Sequence, residues 1–161
     1  MTGGAIVPAL VLAAVGLALA AAPRSAWRPA LLALVASTTL GATAPLPASW
    51  ADAVFLGCWI SVAAGAAAVH WPGGLGGTAA LALAINGGAW AGAAGAVTGR
   101  PLDALAAAPA ALVVLPAAWL AQRRAGVAVK VGASWLITVA ALATALQFLP
   151  VTPGYLPDHL D

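Results

Sequence analysis

GTAALALAINGGAWAGAAGAVT, the stretch from Gly77 to Thr98, contains no charged side chain, and Asn86 is its most polar group. A helix needs about 20 mostly apolar residues to cross the ~30 Å hydrocarbon core of a bilayer, and this run supplies them. Its edges are marked by Trp71-Pro72-Gly73-Gly74 before it and Gly99-Arg100-Pro101 after it.

The same pattern recurs along the chain. It predicts a first span from about Gly4 to Ala22, closed by Pro23-Arg24, and a shorter second span from Pro29 to about Thr43, ended by Pro45-Leu46-Pro47. A third runs from Ala51 to His70, the quoted stretch is the fourth, Leu102 to Ala121 is the fifth and Gly126 to Leu149 the sixth. Backbone groups in lipid must bond within their own segment, and these Ala/Leu/Val runs lack the period-two alternation of a membrane β-barrel. The expected fold is therefore all-α: a polytopic bundle of six transmembrane helices over residues 1–149, with a Pro-rich tail at 150–161. Six spans leave about 41 residues for every loop and both ends, too few for an extramembrane domain.

Composition agrees. Of 161 residues, 63% are apolar and 6% charged, against roughly a quarter charged in water-soluble domains. Mean hydropathy is +1.03. A soluble globule and a disordered chain are both excluded. Six scattered basic residues make no continuous face for phosphate, so nucleic acid is not an expected partner. The single cysteine, Cys58, rules out an intrachain disulfide.

Orientation follows from the basic residues. The turns after spans one, three and five hold Arg24, Arg28, Arg123, Arg124 and Lys130, whereas the opposite face holds only Arg100. Such a bias places the basic turns in the cytoplasm and both termini on the outer face. Asp52, Asp103, Asp158 and Asp161 then all fall outside. The first segment reads as a retained helix, since no positive residue precedes it and its removal would invert the basic bias. Short loops and an Ala/Gly/Pro-rich chain are those expected of a bacterial cytoplasmic membrane protein.

Internal order is weaker. Pro8-Ala9-Leu10-Val11-Leu12 resembles Pro109-Ala110-Ala111-Leu112-Val113, which fits three successive hairpins, while a 3+3 division would relate two inverted halves. Lipid gives helices no hydrophobic drive to associate, so small residues that let backbones approach mark contacts. Gly57, Ser61 and Gly65 line one face of span three, and Gly88 and Gly92 one face of span four, so these two spans are expected to pack together. Trp27, Trp71 and Trp119 at the inner boundary and Trp50 at the outer one read as headgroup anchors. The deeper Trp59, Trp90 and Trp135 are expected to face the bundle or a neighbouring protein.

Groups that could do chemistry are few. No ionisable residue sits at mid-depth, and Lys130 can snorkel to the inner headgroups. That argues against proton pumps, carboxylate cation paths and voltage sensors, all of which need buried charge. Asn86 in span four, Ser37, Thr38 and Thr39 in span two, and Ser134 and Thr138 in span six, with Pro109 and Pro116 interrupting span five, either converge on a small polar cavity or serve as interhelical hydrogen bonds. Cys58 and His70 lie about 18 Å apart along one helix, too far for a nucleophile and its base. Asp158, His159 and Asp161 are metal-ligand types on a short tail, and no metal or cofactor site is expected there. Tyr155, Leu156 and Asp158 on that Pro-rich tail are candidates for docking an outer-face partner.

No transporter, channel-filter, peptidase or cofactor motif is present. The expected role is a small non-enzymatic integral membrane protein, a subunit or accessory of a larger membrane assembly. Its expected contacts are the lipid bilayer and other membrane subunits or copies of itself. The alternative is an oligomeric transporter or channel for a small neutral solute, with Asn86 and the span-two hydroxyls along its path.

Overall fold

The computed structural model describes residues 5–123 and 125–149. Every regular element among them is helical. In order they are α1 (Ile6–Ala20), α2 (Arg24–Ala42), a 3-10 turn (Ala48–Trp50) leading into α3 (Ala51–Ala68), α4 (Gly77–Val97), α5 (Pro101–Ala106), a 3-10 segment (Ala108–Val113), α6 (Val114–Gln122) and α7 (Gly126–Phe148). Four stretches are long and apolar enough to cross a membrane: Ala48–Ala68, Gly77–Val97, Pro101–Gln122 and Gly126–Phe148. α1 is a shorter apolar helix, and α2, which carries Arg24 and Arg28, is not among the four. The tail bearing Tyr155, Leu156 and Asp158 lies outside the described residues.

Two elements are shaped by proline, the first departing from its expected start and the second interrupted at Pro109 as the sequence reads. α2 begins at Arg24, not Pro29, because Pro23 caps it in an extended conformation and the helix runs on through Pro29 at the loss of one backbone bond. In the fifth stretch the α-helix opens on Pro101 and stops at Ala106. Pro109 has no N–H to offer the Leu105 carbonyl, so the chain continues as a tighter 3-10 segment before α6 resumes. Pro116 falls in the first turn of α6, where a missing donor costs little.

Glycine ends α4. Gly99 has φ +67 and allows Gly99 N–H to reach the Ala96 carbonyl at 3.1 Å and Arg100 N–H the Gly95 carbonyl at 2.9 Å, the paired bonds of a Schellman cap. At the other end of α4, Gly73 and Gly74 turn with positive φ, and Leu75 N–H then bonds the Ala21 carbonyl at 2.9 Å, pinning this loop to the end of α1.

α1 is the axle of the bundle: Val11, Leu12, Ala14, Val15, Ala18 and Leu19 are all buried. α3, α4, the 3-10 segment with α6, and α7 pack around it, and α2 docks outside on α4 and α5. α1 is thus a continuous, enclosed helix whereas the fifth stretch is broken and peripheral, so the two proline-led segments take different shapes. The starts of α1 and α3 meet the ends of α4 and α7 at one cavity, and the opposite ends of α1, α3 and α6 meet the start of α7 at another. α7 is the least engaged helix, burying only the stripe Val129, Ala133, Leu136 and Ala140.

The helix pairing predicted from glycines is partly corrected. Gly88 and Gly92 do not face α3. A methyl at Gly88 would strike the Ser37 hydroxyl and the Leu34 carbonyl, and one at Gly92 the Thr38 carbonyl and Ala42 nitrogen, all on α2. α2 and α4 accordingly form the closest helix pair, with Gly41 completing the contact against Ala89 and Gly92. On α3, Gly57 lies under the Trp90 ring of α4, whereas Gly65 packs on Ala14 of α1.

Candidate functional site

The six polar residues singled out from the sequence do not converge. Asn86 Nδ2 donates to Ser61 Oγ at 2.8 Å, joining α4 to α3. Ser37 Oγ has the Leu34 carbonyl at 3.1 Å and the Ala84 carbonyl of α4 at 3.5 Å as acceptors. Thr38 and Thr39 donate to the carbonyls one turn back, Leu34 at 2.8 Å and Val35 at 2.9 Å. Thr138 does the same to Ser134 at 3.1 Å, and Ser134 Oγ lies 3.3 Å from His70 Nε2. The geometry of α4 explains the split. Ala84 and Gly88 look toward α2, and a residue midway between them, Asn86, points to the opposite side at about 100° per position. Hydroxyls that satisfy themselves on their own helix need no cavity.

The tryptophans divide. Trp50, Trp71 and Trp119 are exposed, as anchors would be, and Arg123 stacks over Trp119 at 4.5 Å from its centroid. Trp90 packs on Gly57, and its carbonyl accepts from Cys58 Sγ at 3.4 Å. Trp59 is buried edge-on to Phe55, its indole N–H without a partner among the described residues. Trp135, by contrast, points away from the bundle and is 61% exposed.

A cavity of about 320 Å³ opens at the end of the bundle opposite the turns of Arg24 and Arg123, in a place the polar residues above do not reach. Val7 and Pro8 of α1, Val54 and Phe55 of α3, and Val97 of α4 supply apolar walls. Its mouth is polar. Gln147 Nε2 of α7 donates to Asp52 Oδ1 at 3.0 Å, and Thr98 lies on the same rim. Thr98 Oγ1 spends its proton on α4 carbonyls, Ala94 at 2.9 Å or Gly95 at 3.2 Å, leaving its lone pairs toward other donors. Asp52 stands in the first turn of α3. Nearby Arg100 is paired with Asp103 at 3.0 Å on its own turn.

Sequence reasoning missed both Asp52–Gln147 and His70–Ser134. The signal was depth: once spans alternate in direction, positions 52 and 147 fall at the same level, as do 70 and 134. Among the described residues no three His, Cys, Asp or Glu gather as metal donors.

Compared with protein-family models, with characterised proteins and with solved structures, the chain gives no match. Function therefore rests on the geometry.

Proposed function

We propose that this chain crosses the bacterial cytoplasmic membrane six times with both termini outside, and that it acts as a non-enzymatic subunit or accessory of a larger membrane assembly. The observation that carries the reading is the outward face of α7. Val127, Val131, Trp135 and Leu142 are exposed there, opposite the buried stripe. Together with Thr138, positions 131, 135, 138 and 142 repeat at the four-three spacing that seats one helix against another. Trp135 sits near the middle of α7, where acyl chains offer its N–H nothing, whereas a partner helix offers a carbonyl or hydroxyl.

Mild extraction followed by mass measurement of the intact complex tests this. The expected species is heavier than the 15.6 kDa chain and reverts to it on Trp135→Ala with Leu142→Ala. A stable monomer of the unaltered protein would count against the assembly reading.

The cavity favours a second reading, transport of a small solute. None of Asn86, Ser37, Thr38 or Thr39 lines it. Flux into liposomes that fell on Asn86→Leu would restore those residues to a path.

A further inference from the structure

We infer that the cavity at the mouth formed by Asp52, Gln147 and Thr98 is a binding site for an amphiphilic ammonium: a primary amine headgroup held at Asp52, with an apolar body inserted between α1, α3 and α4. This goes beyond the assembly reading and does not depend on the outward face of α7.

Three observations converge. The first is size and lining: about 320 Å³, at the lower end of small-molecule pockets, with walls of Val7, Pro8, Val54, Phe55 and Val97. An alkyl chain or a phenyl ring fits such a space, and a hydrated ion gains nothing from it. The second is the chemistry at the rim. A carboxylate accepts at about four lone-pair positions and donates none. Among the described residues Asp52 takes one hydrogen bond, from Gln147, and no cation pairs with it. No arginine or lysine among the described residues lines the cavity, and Arg100, two residues beyond Thr98, is engaged by Asp103. An ammonium with three donors would find Asp52, the Gln147 side-chain carbonyl and the Thr98 hydroxyl oxygen on one rim. The third is placement. Phe55 lies three residues after Asp52 on α3, one helical turn deeper on the same side, and both line the cavity, so charge and apolar body are read by one helix face. A hydrophobic anion meets Asp52 with repulsion, and a neutral alcohol makes fewer bonds.

The same chemistry has two sources, a free lipophilic amine or the ethanolamine headgroup of a lipid. Matched probes separate charge from hydrophobicity: hexylammonium, hexanol and hexanoate, titrated by calorimetry against the full chain in phosphatidylcholine nanodiscs, with empty discs subtracted. Hexylammonium is expected to saturate at one equivalent, tenfold or more tighter than hexanol, with hexanoate not binding. Asp52→Asn should bring the ammonium to the level of the alcohol, and Ala94→Leu, which fills the cavity from α4, should abolish both. Unchanged circular dichroism of each variant shows that the bundle is intact. Nanodiscs containing phosphatidylethanolamine assign the source: a weakened hexylammonium titration means the headgroup occupies the site, and an unchanged one means a free amine does. Equal binding of all three probes, or an ammonium preference that survives Asp52→Asn, overturns the inference.

Discussion

Asn86 of α4 and Ser61 of α3 are joined by a 2.8 Å hydrogen bond, and Ser61 is almost wholly buried at 3% exposure. The bond crosses between two helices that also meet through Trp90 and Gly57 one turn away. Interhelical hydrogen bonds in membrane proteins average ~0.6 kcal/mol, with a maximum near ~1.7, because the separated helices find other partners. A double-mutant cycle of Asn86→Leu and Ser61→Ala, read from unfolding in mixed detergent, is therefore expected to give a coupling of about 0.5–1.5 kcal/mol. A coupling of zero would mean that the two side chains do not meet.

The α2–α4 contact is expected to be far less forgiving. Gly88 and Gly92 each face backbone atoms of α2, which cannot rotate away as a side-chain tip can. Gly88→Val or Gly92→Val should cost about 3 kcal/mol or more, since relief requires the two helices to separate. Gly132→Ala is the matched control. An added methyl there meets nothing within 4 Å, and removing glycine from the interior of α7 should stabilise by about 0.5–1 kcal/mol. Thermal unfolding of the three variants against the parent checks both signs.

How far the sequence could be read is visible in these residues. Gly88 and Gly92 were legible as a contact face, since four-residue spacing on an apolar helix has few other uses, yet their partner was not. Small residues announce that something approaches closely, and only the rotation of α4 about its axis decides what. Gly57 and Gly65 make the same point from α3, one meeting α4 and the other α1. The helices themselves followed from run length, and the interruption of span five read at Pro109 falls where the α-helix gives way to a 3-10 segment, because proline removes a backbone bond. Asp52 and Gln147 are 95 positions apart, and each alone looks like a solvated boundary residue. Their pairing depends on α7 returning beside α3, a fact of topology that no local pattern carries.

Topology has its own test. With Cys58→Ala as background, single cysteines at Arg24 and Arg123 are expected to react only with reagents that enter the cytoplasm, and one at Asp103 with an impermeant maleimide from outside. Four basic residues at three helix ends, Arg24 and Arg28 on α2, Arg123 after α6 and Lys130 on α7, make the bias large enough to hold against any single substitution. Labelling of position 24 or 123 from outside would reverse the orientation.

Gly57 and Trp90 give the sharpest test of side-chain packing. Gly57 lies against the face of the Trp90 ring so closely that a methyl at position 57 would enter the indole itself. Gly57→Ala is therefore expected to destabilise by about 1–3 kcal/mol, against the small gain that the same exchange brings in an open helix. Trp90→Leu alone also loses stability, since it strips ring surface from α3 and leaves a void over the glycine. The double variant should be more stable than the sum of the two losses, because the new methyl then occupies the space that the ring has vacated. That sign is what a direct contact requires. If Gly57→Ala costs the same whether position 90 holds tryptophan or leucine, the ring lies elsewhere and the α3–α4 seam is held without it, by bonds such as Asn86 to Ser61 and Cys58 to the Trp90 carbonyl.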